Sequence, residues 1–487
     1  MTVPTTTLLL SQGSHIHRLL GAESHSLNLC IHQRIAELQT HLDHYGVPRI
    51  FLIEANPTRF IAGFMAACSL ECPLFLCNPA WGQQEWEQVY ALAQPDLIWG
   101  DPDFLLPTPT PGAKGPPDQE RILAQTEGKR DRPPWIMIPT GGSSGQVRFV
   151  IHTWSTLMAA VQGFQRYFSS QGANQPIHSC CVLPLYHVSG LMQFLRAWSS
   201  SGQILTLPFK TLEQGTLPDI PPETFFISLV PTQLQRLLQQ RDRTTWLTRF
   251  HTVLLGGAPA WPQLLAEAKQ AHIRLALTYG MTETAAQVAT LKPDDFLAGN
   301  TSNGQVLPHA HITIQDSVGH PLPRHQVGQI VIRSPSLGLG YYPDVWAQDH
   351  WATDDLGYVN ELGDLHVVGR MSRKMITGGE NVFPEEVEKA IWATSLVSDI
   401  YVTSLPDPTW GERVTALYVP ADPQVSPGQL QAALQGKLSR YKQPKQWLAV
   451  EQLPRNAQGK LNSAQLQAIL RDGQRPAFGN RRMDHRD

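Results

Sequence analysis

The sequence predicts an α/β protein in which most strands of the large N-terminal part are parallel. Amphipathic helical segments alternate with short apolar segments between Ser26 and Gly100, as in RIAELQTHLDHYG, RIFLIEA and TRFIAGFMAACSL. After residue 134, short apolar segments recur, each followed by a loop with Gly or Pro: WIMIPT, VLPLY, TFFISLVP, HTVLLGG and LALTYG. We interpret each of these as a strand. Such alternation is typical of βαβ units, which bind ligands at the carboxyl ends of their strands.

Two changes of pattern predict further parts of the chain. From residue 304 the segments HITIQD, GQIVIRS and LHVVGR indicate a small β-rich subdomain. After Arg370, two helical segments (PEEVEKAIWAT, QLQAALQGKL) mix with strands such as SDIYVTSLP and VTALYVP, which predicts a small α+β domain joined near 371–373. We therefore expect an N-terminal domain over 1–371, a C-terminal domain over 372–474 and a flexible basic tail over 475–487.

Composition narrows the class of protein. The 487 residues are 42% hydrophobic and 16% charged, which fits a globular chain of more than one domain. A net charge of −3 argues against a nucleic-acid binder. No apolar run reaches the roughly 18–20 residues that span a bilayer, and the N-terminus does not look like a signal peptide. Six cysteines are too few for a disulfide framework in so long a chain, so we expect buried structural thiols and the reducing cytosol.

A glycine-rich loop is the first candidate for chemistry. It follows the apolar segment WIMIP and reads Thr140-Gly141-Gly142-Ser143-Ser144-Gly145. Its glycines free the backbone so that N–H groups can point at phosphate oxygens, and three hydroxyls add donors. The loop lacks the GK[ST] ending of a Walker A motif. By itself this pattern also fits a flexible connection.

The segment LTYGMTET contains a carboxylate that could act beside a polyphosphate. Glu283 could hold Mg²⁺ and so offset phosphate charge. An exposed Glu at the start of a helix is the alternative.

Three more residues are candidates only in combination. Asp355, in WATDDLGY, could accept hydrogen bonds from sugar hydroxyls, and Arg370, in LHVVGR, offers a fork of donors. Lys460, in LPRNAQGKLN, is a candidate for catalysis only if it reaches the phosphates. Each of the three is otherwise a typical turn or surface residue.

In order and spacing, these segments resemble the adenylate-forming superfamily of acyl-CoA synthetases, adenylation domains and luciferases. The resemblance extends from about residue 30 to 470. The segments that carry it are PTGGSSG, LPLYHVSG, VLLGGAPA, LTYGMTE, the stretch from GQIVIRS to GYY, TDDLGY, VVGR, ITGGENVFPEEVE, DPTWGERV and LPRNAQGK.

The resemblance implies an ATP-dependent acid–thiol ligase that uses Mg²⁺ and coenzyme A, with a role for each matching residue. Thr140 to Gly145 and Arg148 would bind phosphates, and Glu283 would hold Mg²⁺. Lys460 would bridge the substrate carboxylate and the α-phosphate, and Ser372 would lie in the hinge on which a mobile C-terminal domain turns. The remaining ATP-binding residues would be Gly257, Ala258, Tyr279, Thr282, Asp355 and Arg370.

The chain departs from the family pattern at several positions. The usual Lys-Pro-Lys after the phosphate loop is Gln146-Val147-Arg148, and a familiar His is Trp154. The usual Thr-Gly-Asp triplet has Asp354 in its middle, and the acidic residue common after the hinge is Arg373. Among these, the resemblance gives a catalytic role only to the position of Arg148, which keeps a positive charge.

The segment LPLYHVSGLMQFLRAW is the best guide to the acid. The resemblance implies that His187 lies where the carboxylate enters, with Ser189 beside it. Arg196 follows on the same helix and suits an acid with a second negative charge, because an apolar pocket would leave that charge without a partner. Alternatively, Arg196 could extend to the surface. The chain looks most like the subgroup that acts on an aromatic keto-dicarboxylic acid in menaquinone and phylloquinone synthesis.

Three alternatives stay open. The chain could be a ligase for another aryl or acyl acid, or a stand-alone adenylation enzyme that loads a carrier protein. From a different class, it could be a catalytically silent homologue that senses nucleotide. The sequence does not determine the oligomeric state.

Overall fold

A computed structural model describes residues 24–100, 134–141, 146–169, 175–455 and 461–472. These residues form two compact units, the larger ending at Met371 and the smaller beginning at Ser372. The predicted tail, 475–487, lies outside the described residues.

The helices of the described residues begin and end as follows. They are α1 (Ser24–Tyr45), α2 (Pro57–Ser69), α3 (Gln83–Leu92), α4 (Trp154–Phe168), α5 (Val188–Ser199), α6 (Phe209–Glu213), α7 (Pro231–Leu238), α8 (Arg241–Thr248), α9 (Pro262–Gln270), α10 (Pro293–Ala298), α11 (Pro384–Trp392), α12 (Pro427–Leu434) and α13 (Ser463–Asp472). Short 3₁₀ helices lie at Pro222–Thr224, Thr282–Thr284 and Met371–Arg373.

The strands follow the same chain order. They are β1 (Ile50–Ile53), β2 (Leu74–Leu76), β3 (Leu97–Gly100), β4 (Ile136–Gly141), β5 (Val147–His152), β6 (His178–Cys181), β7 (Ile204–Thr206), β8 (Phe225–Leu229), β9 (Thr252–Leu255), β10 (Leu275–Met281), β11 (Ala286–Thr290), β12 (Gln305–Val306), β13 (His311–Gln315), β14 (Gly328–Arg333), β15 (Gly340–Tyr341), β16 (Asp344–Val345), β17 (Trp351–Val359), β18 (Leu365–Arg370), β19 (Met375–Thr377), β20 (Glu380–Val382), β21 (Val397–Asp407), β22 (Gly411–Pro420) and β23 (Gln446–Ala449).

Two seven-stranded sheets form the body of the larger unit. Their orders are β16-β15-β5-β4-β2-β1-β3 and β12-β11-β10-β9-β8-β6-β7. In each sheet the strands from the first α/β repeats are parallel, and the last strands at one edge are antiparallel. Helices α2, α4 and α5 share one hydrophobic core with residues of both sheets, such as Leu74 and Cys181. The candidate residues Thr140, Arg148 and Tyr279 lie on these antiparallel strands.

A four-stranded antiparallel sheet, β13-β14-β17-β18, completes the larger unit. Its core contains Ile330 and Leu365 and includes Tyr279 of β10, so the small sheet packs onto the second large sheet. This packing places the end of β10 beside β17 and β18.

The smaller unit is a separate α+β fold. Its sheet has the order β20-β19-β22-β21, with β23 parallel to β22. One of its cores joins Leu405 and Leu417 of the sheet to Leu466 and Leu470 of α13.

Local sequence signals account for several element boundaries. Asn56 caps α2, its side chain accepting a hydrogen bond from the Arg59 N–H, and Pro57 occupies the first helical turn, where its missing N–H costs nothing. Thr153 caps α4 in the same way. Gly46 follows α1 with a φ of +80°, a left-handed conformation that glycine adopts without strain.

The predicted fold class is confirmed, with α/β sheets, a β-rich subdomain and a small α+β unit. One strand assignment is wrong: VLPLY is a loop, and the strand is the preceding segment, β6. Among the described residues, no helix combines the length and apolar character needed to cross a bilayer.

Candidate functional site

A hydrogen-bonded trio lies where β10 meets the small antiparallel sheet. Asp355 of β17 and Arg370 of β18 are paired in register, and the Arg370 Nε lies 3.1 Å from Oδ1 of Asp355. The Tyr279 hydroxyl donates a hydrogen bond of 2.8 Å to Oδ2 of the same carboxylate. Burial, followed by the nearby Asp355 carboxylate, raises the pKa of Tyr279. The trio therefore presents a fixed carboxylate and a half-exposed guanidinium next to an aromatic ring.

Glu283 lies four residues beyond Tyr279, in the 3₁₀ turn after β10. It is only 8% exposed, so the alternative of an exposed Glu is wrong. The Tyr341 hydroxyl donates a 2.5 Å hydrogen bond to Oε1 of Glu283. The guanidinium of Arg148 lies over the Tyr341 ring, 4.6 Å from its centroid. Tyr341 thus connects the two charged residues that the sequence assigned to Mg²⁺ and phosphate.

Each carbonyl of the Glu283 turn has a hydrogen-bond partner. Gly338 N–H donates to the Glu283 carbonyl at 2.8 Å, and the Ser336 hydroxyl donates to the Thr284 carbonyl at 3.0 Å. The Thr282 carbonyl accepts from Nε2 of His152 at 2.7 Å. Contacts from two distant segments therefore hold the turn.

His152 is the fully buried last residue of β5. Its second ring nitrogen, Nδ1, lies 3.0 Å from the Thr156 hydroxyl. Burial lowers the pKa of His152 to about 4, although the hydrogen bond to Thr282 partly opposes this effect. The ring is therefore neutral at neutral pH, with its one proton on Nε2.

The two ends of the glycine-rich loop form a hairpin. Thr140 of β4 is paired with Arg148 of β5, and Gly141 with Val147. Gly142, Ser143, Ser144 and Gly145, which connect these strands, lie outside the described residues, as does Lys460. The predicted phosphate loop consequently starts at the end of β4 and ends at the start of β5, the strand that carries Arg148 and His152.

Gly257 and Ala258 lie in the loop after β9, the neighbour of β10 in the second sheet. Gly257 has a φ of +81°, and a Cβ atom at this position would lie 3.3 Å from Cγ1 of Val230. Thr282, half-buried, begins the Glu283 turn. These residues border the same strand ends as Tyr279.

Helix α5 carries the three residues predicted to bind the acid. His187 is its N-cap residue, Ser189 is exposed in the first turn, and Arg196 lies in the last turn. Arg196 is only 4% exposed, so the alternative of a surface arginine is wrong. Its Nη2 donates a 2.8 Å hydrogen bond to Oε1 of Gln287, and its guanidinium lies 4.0 Å from the ring centroid of Phe164.

The carboxylate of Glu283 fits the ligand chemistry of a magnesium ion. Mg²⁺ prefers oxygen ligands and is commonly bound by one or two carboxylates together with substrate phosphates. Across the described ranges no cluster of three or more His, Cys, Asp or Glu side chains forms a metal site. A single carboxylate is the arrangement expected for an ion that arrives with a nucleotide.

Two arginines lie on either side of the boundary between the units. Arg370 is bound to Asp355 within the larger unit. Arg373 is bound within the smaller unit to Glu385 and Glu388, at 2.8 and 2.9 Å. Met371 and Ser372 lie between these two anchored residues.

These features define a nucleotide-binding fold of the adenylate-forming type. The model of the AMP-binding enzyme family matches residues 31–342, and the model of the AMP-binding enzyme C-terminal domain matches residues 386–460. The chain belongs to the AMP-binding enzyme family.

Curated relatives and solved structures agree with this family. The chain is 34% identical to a 2-succinylbenzoate–CoA ligase of Enterococcus faecalis, over 66% of this chain and 67% of that enzyme. A 2-succinylbenzoate–CoA ligase of Bacillus anthracis is 28% identical over 91% of this chain and 93% of its own. The fold is that of o-succinylbenzoate CoA synthetase from Bacillus subtilis in complex with its acyl-adenylate intermediate, with a TM-score of 0.77, 22% identity and coverage of 96% and 98% of the two chains.

The structure also identifies residues that the sequence analysis did not select. Tyr341 lies in a stretch that resembles the family but received no role, and His152 and Gln287 follow recognised motifs by a few residues. His309 lay in no motif. Their contacts join segments far apart in the chain, which no local spacing reveals.

Proposed function

We propose that the protein is an AMP-forming 2-succinylbenzoate–CoA ligase of menaquinone or phylloquinone synthesis. In the first half-reaction a carboxylate oxygen of the acid attacks the α-phosphorus of ATP, forming an acyl-adenylate and releasing pyrophosphate. In the second, the thiol of coenzyme A attacks the acyl carbon and AMP leaves. Family membership and the curated relatives support the reaction class and the acid.

The nucleotide end of the site has a simple physical task, which is to offset anionic charge where it builds up. Asp355 and Arg370 are suited to the ribose hydroxyls, and Tyr279 and the Gly257–Ala258 backbone to the adenine. Thr140, the loop up to Gly145 and Arg148 would bind the phosphates. When bound at Glu283, Mg²⁺ supplies charge neutralisation of the phosphates. Lys460 would add an ammonium between the two reacting anions.

The observation that carries the choice of acid is the buried Arg196 cation. Among the described residues no carboxylate pairs with it. A buried cation without an anion is costly, so a substrate with a second carboxylate suits this position. We assign the reacting carboxylate to His187 and Ser189, at the opposite end of α5.

We further propose Ser372 as the hinge that turns the smaller unit between the half-reactions. Arg370 and Arg373 are each anchored in a different unit. The point at which the chain passes from one unit to the other therefore lies between Arg370 and Arg373, a stretch that includes Ser372. Removing the ammonium in Lys460→Ala should abolish most pyrophosphate release and largely spare thioester formation from preformed acyl-adenylate. Equal loss in both half-reactions would contradict this alternation.

The function is tested by ATP- and coenzyme A-dependent pyrophosphate release with a panel of acids. We expect 2-succinylbenzoate to have a higher kcat/KM than benzoate or medium-chain fatty acids. Omitting coenzyme A, or replacing it with a phosphopantetheinylated carrier protein, separates a CoA ligase from a carrier-loading enzyme. Nucleotide binding without pyrophosphate release from any acid would instead indicate a silent homologue.

A further inference from the structure

Several buried polar atoms near Arg196 lack hydrogen-bond partners within the described residues. They are Nε of Arg196, Nε2 of Gln287, Oε1 of Gln193 and both ring nitrogens of His309. Buried polar groups in folded proteins are nearly always hydrogen-bonded, and each exception costs free energy. A concentration of exceptions around one guanidinium indicates a place that a ligand completes.

These side chains come from three segments that surround the guanidinium. Gln193 precedes Arg196 by three residues and so lies on the same face of α5. Gln287 of β11 accepts the hydrogen bond from Arg196 through its oxygen, which leaves its amide N–H₂ as a donor. His309 lies in the loop before β13, close enough for the charge of Arg196 to act on it.

The charge of this cluster is positive. Burial lowers the pKa of Arg196 to about 9, so the guanidinium remains protonated at neutral pH. Burial, and then repulsion by Arg196, lowers the pKa of His309 to about 4, so its ring is neutral and offers one N–H. One cation and two neutral donors match the needs of a carboxylate.

Gly163 of α4 makes room for His309. A Cβ atom at this position would lie 1.8 Å from Nδ1 of His309. The imidazole therefore packs directly against the helix backbone, beside the Phe164 ring on which Arg196 stacks. A larger residue at position 163 would displace the ring from Arg196.

We propose that His309 and Gln287 are specificity-determining residues that, with Arg196, bind the second carboxylate of the acid. This inference rests on the proposed function. Arg196 follows His187 by nine residues, a helical rise of about 13.5 Å, and its side chain leans back toward the N-terminus of the helix. The cluster thus faces the part of the acid remote from the reacting carboxylate.

The experiment compares two acids that differ by one carboxylate. These are 2-succinylbenzoate and 4-oxo-4-phenylbutanoate, which lacks the ring carboxylate and keeps the rest. In His309→Ala and Gln287→Leu we expect the ratio of their kcat/KM values to fall about tenfold or more, since each change removes a donor to a charged group. The kcat/KM for the monocarboxylate should stay within about threefold of the wild-type value, since it makes no contact with the removed donors.

Two further variants test whether the effect depends on the position of the His309 ring. Gly163→Ala keeps His309 but displaces its ring, and should lower the ratio in the same direction. His311→Ala removes an exposed histidine two residues away and should leave the ratio unchanged. Melting curves of each variant verify folding, and Gln287→Leu tests the proposal if His309→Ala unfolds.

Equal changes for both acids, or no change for either, would overturn the proposal, because a water-bridged structural cluster would not distinguish them. Failure of the wild-type protein to use 2-succinylbenzoate would instead contradict the proposed function.

Discussion

The turn that carries Glu283 and the surroundings of Arg196 differ in how completely the protein satisfies their polar groups. At the turn, every backbone carbonyl has a donor and the carboxylate accepts a hydrogen bond from Tyr341. Around Arg196, donors and an acceptor find no partner among the described residues. Both regions are buried, so exposure does not explain the difference.

This difference indicates that polar groups are satisfied in two ways, by the protein itself at the turn and, as proposed above, by the substrate around Arg196. In the proposed function, the nucleotide end would be held in place before substrate binds, which lowers the reorganisation needed when charge develops. The acid end would be completed by the substrate, so an acid without the second carboxylate would leave buried donors unpaired. Unpaired donors discriminate more strongly than a difference in apolar contact.

The largest effect is expected from replacing Glu283 in the turn after β10. Glu283→Gln keeps the shape of the side chain and removes its charge, so we expect pyrophosphate release to slow by about 10²–10³. Thioester formation from preformed acyl-adenylate should change little. A rapid-quench assay of each half-reaction measures both. An effect below tenfold would mean that the turn is not the metal site.

The next effect is at the acid end. Arg196→Ala removes the buried cation, and we expect kcat/KM for 2-succinylbenzoate to fall about a hundredfold. ATP-dependent protection against thermal unfolding should persist, because the nucleotide end is unaffected. If Arg196→Ala keeps the wild-type preference for the dicarboxylate, then Arg196 does not bind the second carboxylate of the acid.

A smaller effect is expected from removing the Tyr341 hydroxyl, which donates a hydrogen bond to Glu283. Tyr341→Phe keeps the ring under Arg148 and removes only the hydroxyl, so adenylation should slow about tenfold and half-saturation should need more Mg²⁺. Tyr342→Phe, at the neighbouring core residue, serves as the control. A wild-type Mg²⁺ dependence in Tyr341→Phe would show that Glu283 does not need this hydrogen bond.

Replacing His152 is expected to have the smallest effect on the reaction rate. The quantity to measure for this residue is the stability of the folded protein. Its pKa is about 4 when folded, against 6.5 as the reference value. Between these values the unfolded chain binds a proton that the native protein does not, so stability falls as pH drops from 6.5 toward 4, by up to about 3 kcal/mol. His152→Gln keeps a donor for Thr282 and cannot titrate.

Urea midpoints at pH 7 and pH 5 should therefore differ less in His152→Gln than in the wild type. His32→Gln, at an exposed position of α1, should retain the wild-type difference. An unchanged difference in His152→Gln would assign the acid sensitivity to other groups.

The sequence predicted those parts of the fold whose signals are local. Hydrophobic periodicity marks α2 and α11, and apolar runs mark β1 and β9. The loop VLPLY was mistaken for a strand because its apolar residues are buried without sheet pairing. The true strand, β6, contains His178 and Ser179 and is recognisable only from its neighbours β7 and β8.

The candidate residues at the nucleotide end followed from motif order, and the structure brings Tyr279, Asp355 and Arg370 together. The sequence does not predict contacts between residues that are far apart along the chain. His152 and Thr282 are 130 residues apart, and Glu283 and Tyr341 are 58 apart. Such pairs have no spacing rule, because sheet topology alone sets them side by side.

The cysteines have a practical consequence for enzymology. Cys68, Cys72, Cys77, Cys180 and Cys181 are buried, and burial raises the pKa of each thiol, to about 12 for Cys72 and Cys181. Thiolates, not thiols, react with disulfide dyes. Consumption of coenzyme A can therefore be followed continuously with such a dye, with half-buried Cys30 as the main source of background from the folded protein.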